Sequence, residues 1–300
     1  MMLLLLLLSL PCVILPPGTE SAALKDAGPA AVCAISADDL AKREAVTPPP
    51  GITPRAGLAS PTRVPWVTAN GWRFRRNPTG KFAYDVPAGR GALAAAEAFA
   101  YGADAALKID PADLPDVAKM FTFFASLPAV NGLKDIADIG VVDNGTPITG
   151  EVMNLLERRN LLFEIVKKPS PHYAVNVAVG SKEYPEAEAA DPSGFALKIR
   201  HKLTDDRRTL RLYGSEVVVA RLTGDASHVR LHLLNYSGRE LQGLRIRLRG
   251  TYREGQTFIS NADAPVKLTD FTNTADGATE FSLPAIGVYA VIDLTPTQAR

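Results

Sequence analysis

Hydrophobic and polar positions alternate most regularly across residues 215–250. Val229, Leu231 and Leu233 interleave with His228, Arg230 and His232, and Leu244, Ile246 and Leu248 interleave with Arg245, Arg247 and Arg249. A period of two sends successive side chains to opposite faces. The stretch therefore predicts a half-buried antiparallel meander of three strands, with turns at Gly224-Asp225 and Ser237-Gly238. Strand patterns continue at 256–259, 279–283 and 288–294. That makes about six strands, enough for a small β-sandwich over residues 215–296.

Upstream the period changes. Residues 91–101 predict an alanine-rich helix stopped by Gly102, and 104–109 a buried strand. Asp110 caps the next helix with Pro111 in its first position, and Leu114, Val117, Met120, Phe121 and Phe124 form one apolar stripe. Strands at 138–142, 161–166, 173–179 and 209–213 alternate with a helix at 149–159 and another opening at Asp191-Pro192. Strand alternating with helix predicts a mainly parallel sheet with helices on its faces. The fold class is thus α/β over residues 64–214, followed by all-β.

The N-terminal residues read differently. Residues 1–15 carry no charge, Leu3 to Leu8 are unbroken leucine, and small residues follow at Ser21, Ala22 and Ala23. The apolar block is short for a bilayer, so residues 1–23 read as a cleaved signal peptide and the protein as secreted or periplasmic. No Lys or Arg precedes the run, and Pro11 before Cys12 matches lipoprotein processing poorly. Cleavage near Ala23 would leave Cys33 without a partner, so no internal disulfide is expected. Residues 24–63 form a Pro/Ala-rich lead-in, extended except for a short helix at 37–43 capped by Ser36.

A formal net charge of +1 gives no electrostatic case for nucleic acid, and no membrane partner is expected once the signal is removed. No G-x-S-x-G is present, since Gly214-Ser215-Glu216 lacks the second glycine. His228 and His232 lie about 13 Å apart on a strand, too far to share an ion. No glycine loop opens a helix to cradle phosphate. No metal and no cofactor is expected.

The aromatic-basic segment 64–84 carries the candidate chemistry. Both tryptophans, Trp66 and Trp72, lie in it, beside Arg73, Arg75 and Tyr84. Aromatic faces flanked by fixed polar groups suit a sugar, so Trp72, Arg73, Arg75 and Tyr84 are the expected ligand-binding residues. The competing reading puts Trp66 in the core and Trp72 at one end of it. Glycoside cleavage needs two facing carboxyls. The acids near the aromatic loop are Glu97, Asp85 and Asp110, and Glu97 on its alanine-rich helix is the one burial would perturb.

Several segments resemble the C-terminal part of multidomain glycoside hydrolases of the three-domain β-galactosidase type. They are NGWRF (70–74), AAAEAFAYGADAALKID (94–110), IADIGVVDN (136–144), EVMNLLERRNLLFEIV (151–166), LHLLNYSGRELQGLRIRL (231–248) and GVYAVIDL (287–294). The resemblance implies the end of a (β/α)₈ barrel over 64–129, a flavodoxin-like, amidotransferase-like α/β domain over 130–214, and the sandwich. The chain departs from that pattern in two ways. Before Val130 it supplies two convincing strands instead of eight, without the strands that carry the family's acid and nucleophile. Residues 130–214 contain no cysteine, so the thiolate of amidotransferase chemistry is absent. The leading reading is a secreted, non-catalytic, carbohydrate-associated binding or scaffolding protein, with carbohydrate or glycoconjugate as partner. The alternatives are a small secreted glycoside hydrolase using acids near Glu97, and a structural subunit docking a protein partner through its sandwich.

Overall fold

The computed structural model describes residues 11–15, 24, 31–53, 66–130 and 132–297. The leucine run, the cleavage region near Ala23 and the proline-rich residues 54–65 lie outside the described residues. Two parallel sheets and a two-sheet sandwich make up the described chain.

The first parallel sheet has the order β1 (Cys12–Val13), β6 (Asp104–Lys108), β5 (Lys81–Asp85), β2 (Glu44–Val46). Two of its four strands come from the stretches read as signal peptide and lead-in. The lead-in also supplies α1 (Ala37–Ala41), with Ser36 accepting from the Asp39 N–H, and β3 (Gly51–Thr53), paired antiparallel with β4 (Trp66–Thr68). Val13 is fully buried beside Leu107, and Cys12 forms a disulfide with Cys33. This corrects the expectation of no internal disulfide: cleavage near Ala23 would remove one sheet strand and half of the bridge.

Helices α3 (Gly91–Ala100) and α4 (Leu114–Ser126) cover this sheet. Leu93, Ala94, Ala95, Ala96, Ala98 and Ala100 are all buried, because α3 lies between the parallel sheet and the sandwich. Alanine lets backbones approach from both sides, and any polar residue on such a helix is buried with it. The helix ends where Gly102, at φ 65°, takes the left-handed turn and Ala103 N–H reaches back to the Ala98 carbonyl. Asp110 caps a single 3₁₀ turn at Pro111–Asp113 that runs into α4.

Residues 70–76 are a correction. The stretch read as a turn and aromatic-basic loop forms a short helix, α2 (Gly71–Arg76). Gly71 is needed there, since a Cβ would lie 2.1 Å from the Tyr101 ring. Trp72 points into the core of the next sheet and Phe74 into the core of the first.

That next sheet has the parallel order β10 (Val175–Val177), β8 (Ile139–Val142), β9 (Phe163–Val166), packed on α5 (Pro147–Arg158) and α6 (Pro192–Leu203). Phe195, Ile199 and Leu203 face inward. This keeps the expected alternation of strand and helix in three strands, but the strand expected at 209–213 is a correction, since Leu210–Tyr213 pairs antiparallel within the sandwich. Asn160, in the left-handed conformation at φ 51°, ties it to the sandwich: its side chain donates to the Val218 carbonyl and accepts from Ala220 N–H.

The sandwich pairs a sheet ordered β15 (Tyr252–Ile259), β18 (Tyr289–Pro296), β13 (Val229–Asn235), β12 (Val218–Gly224), β7 (Lys134–Asp135) with one ordered β11 (Leu210–Tyr213), β14 (Leu241–Arg249), β17 (Ala278–Ile286), β16 (Thr269–Asn273). The predicted three-strand meander is split: β12 and β13 form a hairpin, while β14 crosses to the opposite sheet. Leu231, Leu233, Ile246 and Leu248 therefore meet across one core.

The face of β13 expected to be solvated is buried, because it packs toward α3 and α4. Arg230 is held there by a two-pronged bond to Asp293 (2.7 and 2.7 Å) and by the Pro128 carbonyl. His232 meets the Tyr289 hydroxyl at 2.6 Å and is kept neutral by burial and by Arg221 and Arg230 nearby. On β14 the outward Arg245 and Arg247 pair with Glu280, and Arg247 also with Asp276.

Two outcomes follow. Leu231→Ala and Ile246→Ala are each expected to cost about 2–5 kcal/mol in urea unfolding, and Arg247→Ala within about 1 kcal/mol because its pairs are solvent-screened. A larger loss at Arg247 would overturn the facing assigned to β14. The chain carrying both cysteines should show no titratable thiol when unfolded without reductant. It should also melt lower after reduction, by roughly the 3 kcal/mol that a loop of about this length contributes.

Candidate functional site

Glu97 projects from the buried middle of α3 and is fully enclosed. Its carboxyl accepts three hydrogen bonds: from Asn70 N–H (2.7 Å), from the Tyr236 hydroxyl (2.5 Å) and from the Tyr84 hydroxyl. Burial pushes the carboxyl above its ordinary value, while the two tyrosines and Asn70 pull it back. Both hydroxyls are driven well above the usual phenol range by burial and by the Glu97 charge. Glu157, also buried, accepts from the Tyr101 hydroxyl at 3.1 Å and leaves its second oxygen unpartnered. Burial, then the neighbouring Glu97 charge, raises it to about 8.

The expected sugar platform is therefore largely internal. Tyr84 serves the Glu97 network at 1% exposure, and Trp72 is 5% exposed. Arg73 covers the Trp72 ring at 4.4 Å and donates to the Thr47 carbonyl. Arg75 lies over Phe163, donates to the Phe163 carbonyl and pairs with Asp135 at 3.2 Å. The sequence signal was sound in its chemistry, since aromatic and guanidinium groups do stack, but the stacking partners are supplied by the protein.

Asp85 and Asp110 are brought to one place, apart from Glu97. Asp85 ends β5 and Lys108 ends the adjacent β6, and the two pair at 3.4 Å with both side chains mostly in solvent. Asp110 follows two residues later and accepts from Ala112 N–H at 2.9 Å. Both sit at the C-terminal edge of the parallel sheet, where α/β folds place their ligands.

The loops leaving that edge lead into a groove of about 1080 Å³ between α3, α4 and the turns at one end of the sandwich. Its polar lining includes Arg90, Lys119, Arg239, Glu240, Asn261 and Asp263. Sequence reading passed these residues by, because they come from four separate loops and helices with no shared motif. Several are held in place. Asp113 accepts from the backbone N–H groups of Gly89, Arg90 and Gly91 (2.7, 3.1 and 2.8 Å), fixing the start of α3. Asn261 donates to Glu240 at 2.8 Å, and Asn235 donates to the carbonyls of Arg239 and Gly287, locking two sandwich turns together. Gly238, at φ 73°, leaves room for the Arg90 guanidinium, 3.3 Å from where a Cβ would stand. Such a groove offers preset donors and acceptors on several sides. Among the described residues, no group of three or more His, Cys, Asp or Glu side chains could hold a metal ion.

No family model and no curated protein sequence matches this chain. Its fold is similar to that of alpha-L-fucosidase isoenzyme 2 from Paenibacillus thiaminolyticus, at 10% identity and a TM-score of 0.55, over 76% of this chain and 62% of that one. A beta-galactosidase from Rahnella sp. R3 aligns at 10% identity over 69% of this chain and 51% of that one, with a TM-score of 0.40. Gan42B, a GH42 beta-galactosidase from G. stearothermophilus, aligns as a catalytic mutant at 8% identity over 84% and 53%, with a TM-score of 0.38. The chain thus spans about half to three-fifths of the enzymes it matches. The likeness is one of fold, and the fold is glycoside-hydrolase-like.

The buried carboxyls make stability pH-dependent. Glu157 is protonated in the folded chain up to about pH 8 but ionises near its ordinary 4.5 when unfolded. Its contribution is full below pH 4.5 and is lost as pH rises through 8. Unfolding free energy from urea melts should fall by on the order of a few kcal/mol between pH 5 and 8. Glu157→Gln should flatten that slope, and an unchanged slope would assign it to other groups.

Proposed function

We propose that this is a secreted or periplasmic carbohydrate-associated protein that binds or scaffolds rather than cleaves. Its saccharide lies in the groove between α3, α4 and the sandwich turns. The observation that carries this reading is the division of labour among the acids beside that groove. Glu97 is sealed inside the protein by three donors, while the groove is lined by amides, arginines and turn carboxylates, among them Asn261 donating to Glu240. Rigid polar groups bind hydroxyls well. Cleavage further demands two carboxyls facing across one bond, about 5–9.5 Å apart. Export is supported by the apolar N-terminal run.

One observation favours the hydrolase alternative. Asp85 is exposed and Asp110 half-buried at the C-terminal edge of adjacent parallel strands, where barrel enzymes carry their acids.

A panel of fucosides, galactosides and neutral oligosaccharides separates the two readings. Calorimetric titration should show weak binding, with Kd in the range of about 0.1–1 mM, that Asn261→Ala weakens at least about fivefold at unchanged melting temperature. Trp72→Ala should lower stability, because its ring is packed in the core of the second parallel sheet. Prolonged incubation should release no product above buffer. Turnover that disappears in Asp85→Asn or Asp110→Asn would replace the binding reading with the hydrolase.

A further inference from the structure

A second pocket, of about 620 Å³, lies on the far side of the α/β unit, bounded by α6, β11, β4 and the residues that follow α5. Its lining holds five arginines against two acids, Asp205 and Glu216. Helix α6 presents Leu197 and Arg200 to it, three residues apart and opposite the inward Phe195 and Ile199. Alternation along β11 sends Leu210 and Leu212 to the sandwich core, and Arg211 and Tyr213 outward into the pocket.

Two of these arginines, Arg208 and Arg211, each keep one N–H that the protein does not satisfy. Arg200 holds Asp205 by a two-pronged bond at 3.0 and 2.7 Å, and Arg208 draws on the same carboxylate at 3.3 Å and on the Asn160 and Arg159 carbonyls at 3.3 and 3.5 Å, leaving its Nε–H as its open donor. Arg211 reaches only Asp206 at 3.5 Å, a side chain 97% exposed, and the Tyr213 hydroxyl at 3.4 Å. The Nε–H groups of both Arg208 and Arg211 are buried without a protein acceptor, although the Arg208 side chain is only 9% exposed. Buried charged donors are normally satisfied. The adjacent strand makes the contrast, for Arg245 and Arg247 on the same sheet face are fully paired with Glu280 and Asp276.

The rim supplies the other half of a recognition pattern. Leu197 and Tyr213, 45% and 42% exposed, are the exposed large hydrophobic residues of the described chain, and both border this pocket. A phenol ring standing in solvent beside unsatisfied guanidinium N–H groups matches a sugar ring whose C–H face stacks while its anionic group enters the arginine fork. We propose that this pocket binds an acidic saccharide, a pyranoside bearing a carboxylate or sulfate, with Arg208 and Arg211 on the anion and Tyr213 beneath the ring. The site is separate from the groove and does not depend on it.

The test is calorimetric titration of the full chain at about 50 mM salt, where charge contacts are least screened. The probes are a digalacturonate, a sulfated heparin disaccharide, a neutral digalactoside, an Asp/Glu-rich hexapeptide and sodium sulfate. At least one acidic disaccharide should bind about tenfold tighter than the neutral one, the better probe telling carboxylate from sulfate. Arg211→Gln should weaken that binding about tenfold or more, Arg211→Lys less, and Tyr213→Ala about fivefold, all at unchanged melting temperature. The groove substitution Asn261→Ala should leave it unchanged, so the two sites fail independently. The proposal is overturned if neither acidic disaccharide exceeds the neutral one, or if folded Arg211→Gln and Arg211→Lys bind like wild type. It is equally overturned if sulfate or the peptide binds as tightly as the disaccharides with no effect of Tyr213→Ala.

Discussion

The architecture depends on one carboxyl that cannot reach water. Glu97 accepts from a backbone N–H at the start of α2, from Tyr84 on the parallel sheet and from Tyr236 at the end of the β12–β13 hairpin. Three segments far apart in sequence are held at one point, each by a group that would be costly to bury without it. The donors are two phenols and an amide, so the acid is satisfied without a counter-ion. Its neighbour Glu157 feels the Glu97 charge and is left half-partnered. Burial and the Glu97 charge keep Glu157 protonated up to about pH 8.

Around that point the three sheets interlock. Helix α3 is thin because it is alanine, and its thinness lets the sandwich sheet pack against the parallel one. The cost is that β13 has no solvated face, so Arg230 and His232 need Asp293 and Tyr289 inside the protein. Helix α2 joins the remaining pair of sheets, sending Trp72 one way and Phe74 the other, while Arg75 and Arg76 bind Asp135 and Asp143. Residues that look like a ligand platform in one dimension are the rivets of these junctions.

What is left for function lies at the margins. One margin is the C-terminal edge of the parallel sheet with its groove, and the other is the arginine pocket beyond α6. They differ in chemistry. The groove is lined by side chains of both signs, while the pocket holds five arginines against two acids, with one N–H of Arg208 and one of Arg211 lacking a protein acceptor. Neutral and acidic saccharides are the ligands proposed here for these two environments respectively.

Local periodicity alone determined most elements and their inward faces. The stripe on α4, the helix read at 149–159 and the one opening at Pro192, and the paired inward leucines of β13 and β14 follow from side-chain spacing, which the backbone enforces whatever surrounds it. Strand β16 was not legible because Thr269–Asn273 has no alternation, being an exposed edge with nothing to pack on both sides. Only the tertiary structure decided which sheet β14 joins, that residues 12–13 complete a parallel sheet, and that the second face of β13 is covered. Only it could turn Glu97, Trp72 and Tyr84 from candidate site residues into buried ones, and gather Arg208, Arg211 and Tyr213 around a pocket. The physical reason is the same in each case. Spacing says which side chains share a face, but what meets that face depends on contacts between residues tens to more than a hundred positions apart, such as Glu97 and Tyr236.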